Sequence, residues 1–313
     1  MIKTALSLLP NCLDNLCLGY KTLDKFDGLG AQLQRVLAVR GLSKYLNIKN
    51  CQPRIDGIAT HPLDGLQNPQ KYEAFLNRVN YLIEEEKPEC FSSCVMIDDL
   101  TTGKFLRYIW LASRGHKIKL LITHPYRLVD SRSVIYAMSI DARFKEKVRL
   151  LFPNNVLYDI SYHHRHGTGN FALQPGQKTS REVDLKHIIP LLTSLSKKSP
   201  THTLHVFTDA PENEIIYKVL TKDITAWKGL SSITGEEMKV SSQNFRYLEN
   251  AHLKLQILRG GDPLESLIKL SNSNTLILSR SSFGFVAAII AGHSNVYLPK
   301  DFWHPRLPDW KVY

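Results

Sequence analysis

From Val156 onward, short apolar runs take turns with longer amphipathic ones. "VLYDISYHH" (156–164) reads as a strand and "REVDLKHIIPLLTSLSKK" (181–198) as a helix kinked at Pro190. "HTLHVFTDA" reads as a strand and "NEIIYKVLT" as a helix. "LKLQILR" is then a strand, and "PLESLIKLSN" a helix with Pro263 in its first turn. "NTLILS" is a strand, "SFGFVAAIIAG" a helix closed by Gly292, and "NVYLP" a strand. Such alternation constrains the fold more than any other feature. Successive strands joined by helices line up parallel, with helices on both faces of the sheet.

The first half carries a weaker form of the same pattern. "GYKTLDKF" (19–26) reads as a strand, and "AQLQRVLAVRGLSKYL" (31–46) has helical apolar spacing. "CVMIDDL" and "KIKLLITH" read as buried strands around a helix at 102–115, and a helix follows near 131–142. The charged run 143–155 can cross between halves. The chain is therefore expected to be α/β, with two doubly wound Rossmann-like domains, 1–150 and 151–313, facing across a cleft. Ligands in such sheets bind at the carboxyl ends of the strands.

Lys and Arg outnumber Asp and Glu by 40 to 29 in the 313 residues, a net charge of +11. That balance favours anionic partners: nucleotides, nucleic acid or an acidic membrane face. The basic residues form no long tract, so nucleic-acid binding is not expected. No run approaches the roughly 18 apolar residues of a membrane span, which leaves at most peripheral contact with a membrane. The N-terminal apolar run, Ala5–Leu9, is too short for a good signal peptide. Cys12, Cys17, Cys51, Cys90 and Cys94 complete no zinc pattern. Reduced thiols in a cytoplasmic protein are expected.

The stretch "DISYHHRHGTGN" (159–170) packs three histidines and an arginine together. On a strand, His163 and Arg165 point one way, and His164 and His166 the other. One metal cannot easily collect all three histidines, and no metal site is expected. Arg165 and the glycines at 167 and 169 suit an anion, through a guanidinium fork and close backbone N–H groups. The plain alternative is a solvated basic loop. Ser281 and Ser282 open the helix in "LILSRSSFGFVAAIIAG", where a phosphate could bind; equally, one of them could simply cap the helix. "DGLGAQ" (27–32) is a glycine turn before a helix, or no more than a strand-to-helix turn.

Together these pieces resemble the fucosyltransferase superfamily of α1,2-, α1,6- and protein O-fucosyltransferases, which are GT-B enzymes using GDP-fucose. "GLGAQ" is similar to the family's G-x-G-N-Q turn. "HHRHGT" is similar to its H-x-R-x-G-D, with His163, Arg165 and Gly167 matching. "SRSSFGFVAA" (279–288) resembles its late S-x-S-S/T-F-S-x-x-A element, and "VFTDAPE" its strand ending F-T/S-D. Order and spacing agree over roughly 20–313.

The resemblance implies a GT-B-like fold and a metal-independent, inverting transfer of fucose from GDP-fucose to a glycan hydroxyl, with no cofactor. It implies that Arg165 binds the β-phosphate and stabilises departing GDP, and that His163 lines the nucleotide pocket. It implies phosphate contacts from Ser281, Ser282 and Phe283, a guanine or ribose contact from Asp209, and an approach to sugar and acceptor by Gly28 and Gly30. Thr168 stands where the family has Asp, Ala31 where it has Asn, and His166 where the α1,6 form has a second Arg. A base is needed near the acceptor; Asp27 is the first candidate, with Glu182, Asp184 and His61 behind it. A non-catalytic binding module of the same fold, or a GT-B transferase using another nucleotide sugar, are the competing expectations.

Overall fold

The computed structural model describes residues 14–22, 27–60, 64–84, 93–98, 102–139, 141–153, 156–165, 183–210, 212–213, 215–218, 237–240, 245–292 and 295–313. Its first half contains β1 (Leu16–Tyr20), α1 (Leu29–Leu46), β2 (Lys49–Asn50), α2 (Pro69–Ile83), β3 (Ser93–Ile97), α3 (Thr102–Ser113) and β4 (Ile118–Ile122). Three helices follow: α4 (Tyr126–Val129), α5 (Arg132–Ser139) and α6 (Ala142–Leu151). The second half contains β5 (Tyr158–His164), α7 (Ile189–Lys198), β6 (Thr203–Thr208), β7 (Ile215–Lys218), β8 (Glu237–Val240) and β9 (Lys254–Arg259). It ends with α8 (Pro263–Ser271), β10 (Ser273–Leu278), α9 (Ser282–Ala291), β11 (Val296–Leu298) and β12 (Lys311–Val312).

The first sheet runs β2-β1-β4-β3 and the second β12-β11-β10-β5-β6-β9. All of their ladders are parallel, as the alternation predicts. In the second sheet the strand order reverses between β5 and β10: β5 leads to β6 on one side, β10 to β11 on the other. At such a reversal the loops leaving two neighbouring strands run in opposite directions and open a crevice at their carboxyl ends. The glycine turn follows β1, and the His163–Arg165 and Ser281–Ser282 segments follow β5 and β10. The topology therefore puts His163, Arg165, Ser281 and Ser282 at this crevice, and the glycine turn beyond the carboxyl end of β1.

Two helices join the halves. Residues Gly284–Ile290 of α9 are all apolar or glycine and all buried, the pattern of a core helix. Ser281 caps its start by accepting from the Phe283 N–H at 3.2 Å, and Gly292, at φ 60°, closes it. The α1 helix buries fifteen of its eighteen residues, polar ones among them. Buried polar groups need partners, and each has one: Gln32 with Tyr20 and Thr22, Arg35 with Asp27, Arg40 with Asp141, Gln34 with His304. One apolar core runs through α1 and α9 into both sheets, and a second lies under the other face of the second sheet. Arg78 of α2 reaches across to Asp262, the cap of α8.

Four sequence expectations are corrected. The first strand begins at Leu16 instead of Gly19, because the wholly buried run "LCLGY" is the one that suits a strand covered on both faces. Pro190 starts α7 instead of kinking it: a short 3-10 turn, Leu185–His187, precedes the helix, and a missing N–H costs nothing in a first turn. "NEIIYKVLT" supplies the strand β7, paired antiparallel with β8. Its Ile-Ile-Tyr run favours an extended chain once a partner is present. Finally, Cys17 and Cys51 are not reduced thiols but a buried disulfide, with Cα atoms 5.7 Å apart. The parallel pairing of β1 with β2 brings them together, since the Cys51 N–H bonds to the Leu18 carbonyl at 2.8 Å. Cys94 is free and exposed; Cys12 and Cys90 lie outside the described residues. No described helix is long and apolar enough to cross a membrane.

Candidate functional site

The site is built from the carboxyl ends of β5, β6 and β10. Strand alternation sends His164 inward, where its ring meets Phe245 edge-on and its Nδ1 lies 3.0 Å from the Tyr162 hydroxyl. His163 takes the opposite face, under the start of α9. Its ring stacks on Phe283 at 5.3 Å between centroids. Gly284 makes room for it, because a Cβ there would sit 3.0 Å from His163 Nδ1. The two histidines are thus separated as the alternation predicts, while His166, Gly167 and Thr168 lie outside the described residues.

Ser279 ties the strands together. Its backbone N–H donates to the His163 carbonyl, and its hydroxyl accepts from the Arg165 N–H at 3.0 Å. The same hydroxyl lies 3.2 Å from His163 Nδ1. Burial, outweighing the nearby Asp209, pushes the His163 pKa down to about 3. The ring is neutral at physiological pH.

A test follows. Between pH 6.5 and about 3 the unfolded chain protonates this histidine and the folded chain does not. Its contribution to stability is complete above pH 6.5 and is lost as pH falls through that window. Urea unfolding from pH 7 to 4.5 should therefore show wild type losing stability faster than His163→Gln, by about 1.4 kcal/mol per pH unit. Equal slopes would show that the folded imidazole takes up the proton.

Arg165 lies just beyond β5, and Asp209 just beyond β6 holds its guanidinium at 2.6 Å. Arg280, in the turn before α9, is held by both oxygens of Asp301 at 2.6 Å. Ser281 and Ser282 supply the first turn of α9, whose leading N–H groups have no acceptor within the helix. Across from them is the start of α1. Gly30 packs directly on the backbone of Phe283. Asp27 pairs with Arg35, which also donates to the Tyr20 hydroxyl at 3.3 Å, and Tyr20 in turn donates to Gln32 at 3.0 Å. Gly28 bridges to Ala59.

His163, Arg165, Asp209, Ser281, Ser282 and Phe283 thus gather at one crevice; from the other half Gly30 meets Phe283, while Asp27 and Gly28, just before it in the chain, are held by Arg35 and Ala59. Asp184 stands apart: it is exposed, caps the 3-10 turn and pairs with Lys186, whose hydrogen bond lowers its pKa. Glu182 and His61 are outside the described residues. Sequence reasoning gave no role to Ser279, although it opens the quoted "SRSSFGFVAA". Nor did it find the Tyr20–Gln32–Arg35 network, whose only signal is polar residues at core positions of a helix. Among the described residues, no group of three His, Cys, Asp or Glu side chains is placed to hold a metal.

No family model and no curated protein matches the chain. Among solved structures, POFUT1 in complex with GDP aligns over 96% of this chain and 98% of its own, at TM-score 0.45 and 9% identity. POFUT1 in complex with GDP-fucose gives the same figures. E. coli heptosyltransferase WaaC with ADP-2-deoxy-2-fluoro heptose aligns over 95% of this chain and 92% of its own, at TM-score 0.42 and 10% identity. Likenesses this distant decide nothing about what the chain binds; its two parallel α/β halves are established by its own strand order.

Proposed function

We propose that the chain is a GT-B-type glycosyltransferase that moves a sugar, fucose from GDP-fucose, to a glycan hydroxyl without a metal. One observation carries this reading. A guanidinium, a neutral imidazole and a serine-capped helix start converge where the second sheet reverses its strand order. That arrangement suits a diphosphate. Arg165 offers a planar fork to its oxygens, and the start of α9 offers N–H groups and the positive end of a helix dipole.

In the transfer, the acceptor oxygen attacks the anomeric carbon as the bond to the β-phosphate oxygen breaks. GDP leaves with the electron pair, and Arg165 opposes the charge that develops on it. The acceptor proton goes to a base, for which Asp27 at the start of α1 is the candidate. His163 lines the nucleotide pocket with an uncharged ring. Ser281, Ser282 and Phe283 hold phosphate oxygens. Asp209 orients the Arg165 guanidinium, a role that fits its ion pair better than the guanine contact suggested by motif alone. A cytoplasmic placement belongs to the same reading, with the buried Cys17–Cys51 bond as the observation against it.

Thermal stabilisation by GDP-fucose, GDP-mannose and UDP-sugars tests the donor, and release of free sugar or transfer tests the reaction. Selective stabilisation by GDP-linked donors, with turnover, is the expected result. Preference for UDP-sugars would remove the fucose assignment. Tight binding without turnover on any acceptor would support a non-catalytic module, and no binding would end the nucleotide-sugar reading.

A further inference from the structure

The α3 helix packs against β1 of the first sheet and presents an unusual outer face. Phe105, Ile109 and Ala112 point into the core and are buried. Gly103, Arg107, Trp110 and Arg114 recur at three- and four-residue steps and form one exposed stripe, with Lys104 and Leu106 on its flanks. Trp110 is 52% exposed and Leu106 41%. The Arg114 guanidinium sits over the Trp110 ring, 4.6 Å from its centre. Exposed His116 and Lys117 continue the basic surface past the helix end. From Thr101 to Val129 the sequence holds six Lys or Arg residues and no Asp or Glu.

Cations after the last turn would suit the helix dipole alone. That explanation gives no reason for an outward Trp and Leu between them. Indole and a branched aliphatic group flanked by arginines match the boundary of a bilayer: the apolar parts enter the acyl edge, and the guanidiniums stay with the headgroups. Acids stand only at the two ends of this stretch, Asp98 and Asp99 before it and Asp130 after it, so its charge complements anionic headgroups. A nucleic acid would use the cations but gain nothing from Leu106.

We infer that the outer face of α3 docks the protein on an anionic membrane surface, lying flat in the interface. The helix is too short to span, so the contact is peripheral and reversible. This inference is independent of the proposed chemistry, since none of these residues belongs to the crevice.

The test is co-sedimentation of the full chain with vesicles of phosphatidylcholine alone or mixed with phosphatidylglycerol. Binding should need the anionic lipid and weaken as salt rises. The Arg107→Glu/Arg114→Glu variant removes two cations and adds two anions, and should bind roughly 100-fold more weakly. Tryptophan emission should shift to the blue on binding, and Trp110→Phe should abolish the shift while the other three tryptophans remain. Circular dichroism and thermal midpoints of both variants should match wild type, because the stripe is exposed. Equal binding to neutral and anionic vesicles, unchanged binding by the double variant, or no binding at all would overturn the inference. So would loss of RNA binding in the double variant with no vesicle binding by wild type, which would make the face a nucleic-acid surface.

Discussion

Arg165→Ala should lower sugar-nucleotide turnover by 10²–10³-fold, the usual cost of removing one preorganised donor from developing charge. The effect should be larger on kcat than on KM if the guanidinium acts mainly on the leaving group. Arg165→Lys keeps the charge but loses the planar fork, so it should recover only a small part of the activity. The two substitutions separate charge from geometry.

Asp209→Asn gives a third reading of the same arrangement. It keeps size and hydrogen bonding but removes the carboxylate paired with Arg165 at 2.6 Å. If Asp209 orients the guanidinium, its loss should cost less than that of Arg165, roughly 10-fold, and should add almost nothing in the double variant. If Asp209 instead contacts the nucleotide by itself, the two losses should multiply. Unchanged activity in Arg165→Ala would remove the leaving-group role. Thermal midpoints near wild type in each variant are the control, because both side chains lie at a strand end outside the apolar cores.

Much of this was legible in the sequence because it depends on short periods. The separation of His163 from His164 follows from the two-residue repeat of a strand. The capped, glycine-closed α9 follows from "SSFGFVAAIIAG" alone. The parallel sheets follow from alternation. What was not legible depends on distant pairing. Cys17 and Cys51 are 34 residues apart and meet only because β1 and β2 pair in parallel. The β7 strand needs Glu237–Val240 beside it before its Ile-Ile-Tyr run stops resembling a helix. Gln32, Gln34, Arg35 and Arg40 look like the wet side of an amphipathic helix. They are buried because α1 is enclosed between the halves, and each is matched by a partner from elsewhere in the chain. Gly30 shows the same limit most sharply. As part of "GLGAQ" it reads as a place for a ligand to approach, whereas in the fold the backbone of another helix approaches it.

That close approach sets a prediction whose sign alone is decisive. Gly30 occupies the second position of α1, where replacing glycine by alanine normally stabilises a helix by up to about 1 kcal/mol. Here a Cβ would lie 2.5 Å from both the N and Cα atoms of Phe283 and 2.9 Å from its Cβ. These are mostly backbone atoms, in the first turn of a helix fixed by the Ser281 cap and by strand β10 behind it. They cannot move aside as the end of a flexible side chain would. Gly30→Ala must therefore shift α1 or unwind the start of α9. Overpacking of this kind typically costs 1–3 kcal/mol, and about 3 kcal/mol is expected here because the obstacle is backbone. Gly28→Ala is the matched control. Its φ is −68°, and a Cβ there would come no closer than 3.9 Å to the Ala59 carbonyl, so stability should change by less than about 0.5 kcal/mol. Urea midpoints of the two variants give the answer. The Gly30→Ala variant should also lose nucleotide affinity, since Ser281 and Ser282, in the turn that would shift, are among the groups proposed to hold phosphate. A stabilised Gly30→Ala protein would show that the halves do not meet at this point in solution, and would take the glycine turn out of the proposed site.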